Sequence, residues 1–342
     1  MKEKILIILI VFIPVFLFNS CKKDPIPDNE NKISVIIDTD ADVDDAMAIL
    51  YLLQHPEISV DGITISGTGM SHPIPATKNI LGLIELAGNP NIPVATGDTV
   101  AINSNNTLLR PAEWLTMANT MMDIELPLNP NPVNDKGAVD FLIDFIANTD
   151  EPVRFVALGP LTNLGCVLMQ SPNLAAKISS IYIMGGAVNV SGNLDEGGID
   201  NNPYAEWNIF LDPHAADIVF NSGIDITLVP LDATNNAPIT TEFLNLISNN
   251  HNTPEANFVF EIISKLLNGT DKVCFWDPLA AAISTDLSIA STNSYLITII
   301  TEEGDENGRT KIDSVSGNMI TVCYDVDLNN FETLFLDVLN GK

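Results

Sequence analysis

Basic side chains are scarce in this chain. Lys and Arg number 15 against 44 Asp and Glu, a formal net charge of −29 at pH 7, and the few cations never cluster. So sparse a set cannot neutralise a row of phosphates, which excludes nucleic-acid partners. Cysteine is scarce too. The four are widely spaced with no Cys-x-x-Cys pair, so neither a zinc site nor a disulfide framework is expected, and Cys166, Cys274 and Cys323 read as buried thiols. The N-terminal apolar stretch Ile5 to Phe18 runs for only 14 residues, too few for a comfortable membrane span. Internal repeats, long low-complexity tracts and any linker that would split residues 32 to 342 are also missing. What remains is 46% apolar and 17% charged, the balance of a globular protein with a substantial core. The bulk acidity reads as solubility in a crowded or salty compartment, with cation binding as the functional alternative.

The N-terminus carries a more specific signal. A basic start, Met1-Lys2-Glu3-Lys4, precedes the apolar stretch, which ends in Asn19-Ser20-Cys21. That order describes an export signal that is removed on maturation. Cys21 after Ser20 resembles the lipobox of bacterial lipoproteins, in which this Cys becomes the lipidated first residue; Phe18 stands where that pattern usually has Leu, and plain secretion is the alternative. The expected division is a lipoprotein signal peptide over 1–20, a polar, Pro-containing tether over 21–31 and one folded domain over 32–342. The protein is then exported and anchored in a membrane by its lipid, on the periplasmic or cell-surface side.

Within the domain, Asp38-Thr39-Asp40-Ala41-Asp42-Val43-Asp44-Asp45 places five carboxylates in eight residues. It follows the apolar run Ile33 to Ile37 and precedes the helix-period run Ala46 to Leu53, so it reads as the turn between a strand and a helix. Two like charges about 4 Å apart repel by roughly 4 kcal/mol at an effective dielectric near 20. Five therefore call for raised pKa values or for a hard, oxygen-seeking cation such as Ca²⁺. Two Asp-rich alternatives fail. An EF-hand loop starting at Asp38 needs Gly and Glu where Val43 and Ile49 stand, and a phosphatase nucleophile loop needs Thr or Val where Asp42 stands.

Strand and helix signals then alternate: strands over 59–66, 92–95, 153–158, 178–184 and 226–231, helices over 76–87, 136–148, 163–170 and 213–221. The fold class expected is α/β, a single large domain with a mostly parallel central sheet flanked by helices. Segments after the strands then share one edge, where ligands bind in open α/β sheets. The polar, Asn-rich and Pro-interrupted stretch 101–132 reads as a lid or flanking loop, and 294–324 as strands around a turn at 303–308.

Five patches coincide on that edge: the Asp cluster, Leu158-Gly159-Pro160-Leu161-Thr162-Asn163, Ile183-Met184-Gly185-Gly186, Ala205-Glu206-Trp207-Asn208 and Trp276-Asp277-Pro278. Together, and in this order, they resemble the inosine–uridine-preferring nucleoside hydrolase family. The resemblance implies a Rossmann-like nucleoside hydrolase fold and hydrolysis of the N-glycosidic bond of ribonucleosides. It implies one Ca²⁺ held by the carboxylates of Asp40, Asp45 and Asp277 and the main-chain carbonyl of Leu158, and a Ca²⁺-bound water activated by Asp44 as general base. Asp38 matches the position that supports the cluster. Asn193, Glu206 and Asn208 match positions that hold the ribose hydroxyls, with Met184 and Trp207 beside the sugar. The family tends to form dimers or tetramers.

The departures bear on specificity. The family usually has Pro-Gly where Ala41-Asp42 stand, so a left-handed residue there is expected to fall on Asp42, and Asp42 is open as a further ligand. Its ribose-contacting Asn after the second strand is replaced around Thr68-Gly69; His72 follows, as a pocket residue or an exposed loop His. Trp276 stands where many members carry a His that protonates the leaving base. This resembles the purine-specific branch, in which aromatic stacking takes over that task. Trp114 either closes over the other face of the base or anchors its loop on the core. A non-catalytic nucleoside-binding lipoprotein, and a hydrolase of another riboside, stay open as alternatives.

Overall fold

In a computed structural model, residues 32–106, 110–269 and 273–342 are described. The leader, the tether and Cys21 lie outside the described residues. Nine strands form one sheet: β1 (Ile33–Thr39), β2 (Ile58–Ile65), β3 (Val94–Thr96), β4 (Val153–Ala157), β5 (Ile178–Met184), β6 (Ile226–Val229), β7 (Ala290–Ile299), β8 (Thr310–Ile312) and β9 (Asn318–Val326). Their order across the sheet is β3-β2-β1-β4-β5-β6-β9-β7-β8. Every pair from β3 through β9 is parallel, and β7 runs antiparallel to both β9 and β8. The domain is thus α/β with a mostly parallel sheet, as the alternation predicts.

β1 is central because it is apolar on both faces: Val35, Ile36 and Ile37 are fully buried. On one face lie helices Val43–Gln54, Pro73–Leu86, Pro254–Gly269, Trp276–Thr285 and Leu328–Leu339; on the other lie Ala138–Asn148, Thr162–Gln170 and Pro213–Phe220. Helices Val43–Gln54 and Trp276–Thr285 pack side by side, and Tyr51 Oη meets Thr285 Oγ1 at 2.7 Å. Their N-terminal turns are thereby brought together, one carrying Asp44 and Asp45 and the other Asp277.

The chain leaves β1 toward β2 on one side and reaches β4 on the other, so the strand order reverses between β1 and β4. Asp38 pairs with Ala157 across this point, and Leu158 N donates to the Asp38 carbonyl at 2.7 Å. A crevice opens beyond the carboxyl ends of two strands whose connections diverge.

Several elements differ from expectation. The 101–132 stretch is not all loop, since Ala112–Thr120 is helical. β6 stops at Val229, short of the expected 231, because Leu231–Thr234 turns helically. β7 starts at Ala290, ahead of the expected 294. Cys274 and Cys323 are buried, whereas Cys166 is only half-buried.

Candidate active site

The acidic turn is built by a reciprocal cap. Asp42 is the N-cap of Val43–Gln54 and accepts from Val43 N at 2.7 Å, while Asp45 Oδ2 accepts from Asp42 N at 3.0 Å. Asp45 also accepts from Thr39 Oγ1. The left-handed residue is Ala41, at φ 60°, and not Asp42, whose φ is −75°. Ser71 Oγ holds the Ala41 carbonyl at 2.8 Å and so fixes the turn.

Asp40 reaches the same place from the end of β1. Met70 N donates to its Oδ2 at 2.9 Å. A Cβ on Gly69 would lie 2.1 Å from Asp40 Cβ, so only Gly lets the 67–70 loop approach so closely. Asp40 and Asp277 each lie close enough to Asp45 for their charges to act on one another. Carboxyl oxygens of Asp44, Asp45 and Asp277 all lie within 4.8 Å of one another.

Such a cluster cannot stay fully ionised by itself. Burial, and then the Asp40 charge, raises Asp44 to about 7. Burial followed by the neighbouring carboxylates raises Asp45 and Asp277 well above the usual range. Carboxylates in mutual contact need protons or a cation between them. An all-oxygen donor set at two helix N-termini, with Leu158 on the same lining, fits a hard divalent ion and not a thiophilic one.

These groups line a cavity of about 500 Å³. Asn193, Glu206, Trp207 and Asn208 form another part of its wall. Glu206 caps Trp207–Leu211 and accepts from Gly186 N at 2.8 Å, Asn208 N at 2.9 Å and Ile209 N at 3.2 Å. Burial raises its pKa to about 7 against the pull of these donors. Asn208 Nδ2 donates to the carbonyls of Leu158 at 3.0 Å and Met184 at 3.2 Å. Asn193 accepts from Trp207 twice, at its side-chain oxygen from the backbone N–H and at its carbonyl from the indole N–H. Trp114 lies 5.6 Å from Trp207 between ring centroids, tilted by 34°, and Trp276 joins the same lining.

A family model described as inosine-uridine preferring nucleoside hydrolase matches residues 35–333. The chain belongs to this family. Among curated relatives it is 31% identical over 325 residues to the pyrimidine-specific ribonucleoside hydrolase RihA of Escherichia coli (strain SMS-3-5 / SECEC), covering 90% of this chain and 98% of that one. It is 38% identical over 210 residues to uridine nucleosidase 1 of Arabidopsis thaliana, covering 61% of this chain and 60% of the relative, so the match spans less than two thirds of that protein's length. Among solved structures, a purine-preferring ribonucleoside hydrolase from Gardnerella vaginalis superposes with a TM-score of 0.76 at 27% identity, over 90% of this chain and 98% of that one.

Of the residues singled out in the sequence, Asp40, Asp44, Asp45, Leu158, Asp277, Met184, Asn193, Glu206, Trp207, Asn208, Trp276 and Trp114 all line the one cavity. Asp38 and His72, also singled out as candidate contacts, lie off the lining. Asp38 is fully buried beneath the lining, held by Thr64 Oγ1 at 2.6 Å and Asn163 Nδ2 at 2.8 Å, so it supports and does not touch a ligand. His72 is the exposed N-cap position of Pro73–Leu86, facing Asn119 Nδ2 at 3.2 Å, and is not on the lining. The sequence reading missed Met70, Met117, Glu196, Leu266 and Val273. Met117 could have been found as the residue one turn beyond Trp114, had the helix been seen; the others left no signal apart from ordinary core or turn composition.

Proposed function

We propose that this protein hydrolyses the N-glycosidic bond of ribonucleosides to free base and ribose, with a divalent cation bound. The observation that carries the reading is the convergence of Asp44, Asp45 and Asp277 within 4.8 Å in a cavity whose wall also bears three indoles. The family supplies the reaction class.

Asp40, Asp45, Asp277 and the Leu158 carbonyl would hold the cation, and the oxygen-only donors support Ca²⁺. When bound, the ion supplies a fixed positive charge that orients hydroxyl oxygens. Asp44 takes the proton of the attacking water, a role suited to a carboxylate raised toward neutrality. As the C1′–N bond lengthens, positive charge grows on the ribosyl ring, and the surrounding carboxylates are already oriented to stabilise it. Glu206, Asn208 and Asn193 are the ribose contacts of this reading.

Trp114, Trp207 and Trp276 support a purine as the base, because the larger ring offers more stacking area. Relatives are named for either base class, so loops around the cavity set the preference. Export and anchorage through Cys21 rest on the leader composition, and a dimer or tetramer rests on the family resemblance. Loss of the protein from the membrane fraction in Cys21→Ala is the expected result for the anchor.

The test is release of ribose from a panel of purine and pyrimidine nucleosides, with and without a chelator. Chelator-sensitive release is expected, fastest from purines. Binding without release from any nucleoside would replace hydrolysis with simple capture.

A further inference from the structure

The Gly185-Gly186 pair belongs to one of the five sequence patches, yet neither glycine is on the cavity lining. We propose that Thr310, on β8 and likewise off the lining, is a positioning residue whose hydroxyl holds the Gly186–Ala187 turn and through it orients Glu206; this rests on the hydrolase reading, in which Glu206 is a ribose contact.

Glu206 is buried, and its carboxylate accepts from three backbone N–H groups. Those of Asn208 and Ile209 belong to its own helix and travel with it. Gly186 N, 2.8 Å from Oε2, comes from another segment, so it sets where the carboxylate sits relative to the end of β5. Gly186 is left-handed at φ 81° and has no side chain to resist rotation of the peptides on either side. Its N–H therefore points where the hydrogen bonds around it dictate.

Thr310 makes two of those bonds. Its Oγ1 accepts from Ala187 N at 2.9 Å and donates to the Ala187 carbonyl at 2.8 Å, with both residues buried. Its methyl closes the space over Gly186, where a Cβ would lie 2.8 Å from Thr310 Cγ2. On either side, Leu231 N holds the Gly186 carbonyl at 2.9 Å, and Asp232 takes Val188 N and Asn189 N, each at 2.8 Å. Ala187, between them, is held by Thr310.

The hairpin turn ahead of Thr310 fixes it against the same wall. The Asn307 carbonyl accepts from Asn202 Nδ2 at 2.7 Å. Gly308 lies so near Phe210 that a Cβ would be 2.7 Å from Phe210 Cα, and the Arg309 guanidinium sits 4.3 Å from the centre of the Tyr204 ring. Three successive residues thus grip the segment 202–210 that carries Glu206, and none of them is on the lining.

Thr310→Val keeps the shape and removes the hydroxyl. On the full chain with Ca²⁺, KM is compared for inosine and guanosine, or for uridine and cytidine if that is the pair hydrolysed. The expected result is a rise of about 3–10-fold, by the same factor for both members of the pair because the ribose is shared, with kcat changing less. Ca²⁺ affinity by calorimetry should stay at the wild-type value, and Thr310→Ser, which keeps the hydroxyl, should restore KM. Should Thr310→Val not fold, Thr310→Cys, of serine's shape but with only a weak thiol donor, is compared with Thr310→Ser in the same way. An unchanged KM, a loss that Thr310→Ser shares in full, or a parallel fall in Ca²⁺ affinity overturns the inference and leaves the hydrolase reading intact. No release from any nucleoside by the unaltered chain overturns that reading and the inference with it.

Discussion

Asn208 Nδ2 bridges the carbonyl ends of two neighbouring strands, 3.0 Å from Leu158 O and 3.2 Å from Met184 O. The amide thus fixes the direction of the one main-chain oxygen assigned to the cation. Asn208→Leu keeps the volume and removes the donor, leaving two buried acceptors unpaired at a cost of about 1–3 kcal/mol. The expected outcome is a lower melting temperature together with weaker Ca²⁺ binding by calorimetry. Weaker stability with unchanged Ca²⁺ affinity would separate Leu158 from the site.

Asp44→Asn retains shape and removes the base. Turnover is expected to fall by about 10²–10⁴-fold, while nucleoside binding and the circular dichroism spectrum persist. Undiminished turnover would take Asp44 out of the mechanism.

Removal of the cation should make stability depend on pH. Asp38 and Asp44 are raised to about 7 by burial. A carboxyl raised in the folded state binds more protons there than in the unfolded chain between its two pKa values, so stability falls as pH climbs from about 4 to about 7. Chelated protein is expected to show a melting temperature that drops across this window, and saturating Ca²⁺ to flatten the drop. Identical curves with and without Ca²⁺ would argue against a cation in the cluster.

Gly69→Ala tests the close approach to Asp40, since the new Cβ would sit 2.2 Å from Asp40 Oδ2. Displacing one oxygen donor is expected to weaken Ca²⁺ binding by about tenfold or more, with the sheet intact by circular dichroism. Calcium titration decides it.

Trp114→Ala should raise KM for purine nucleosides by roughly 3–10-fold, the worth of one aromatic contact. Because stacking acts in ground and transition states alike, kcat should change less. If KM is unmoved, Trp114 is only packing on Trp207.

The acidic turn and the parallel sheet were legible because they announce themselves locally. β1 is an apolar run that stops at Asp38, and helical period begins within five residues of it. Leu158 was singled out only through resemblance, since the atom proposed to act is main chain. Ala41 shows the limit from the other side: a left-handed backbone at a buried alanine has no compositional mark. Leu266 and Val273 sit among apolar residues, and nothing in an apolar pattern tells a cavity wall from a core. The Ala112–Thr120 helix was hidden by the Pro and Asn around it. His72 was ambiguous for the usual reason that a loop histidine beside a sheet edge can face either way.

The residues proposed to hold the cation at the β1–β4 reversal come from opposite parts of the chain, Asp40 and Asp45 near its beginning, Leu158 in the middle and Asp277 on a helix well beyond. Their sequence separation makes the site a late product of folding, because the loops between them must close before any of these oxygens face one another. A chain still being made therefore has no more than an ordinary affinity for the ion. Only when helix Trp276–Thr285 docks against Val43–Gln54 do these carboxyls assemble, and a cation bound among them would tie the first and last thirds of the domain together.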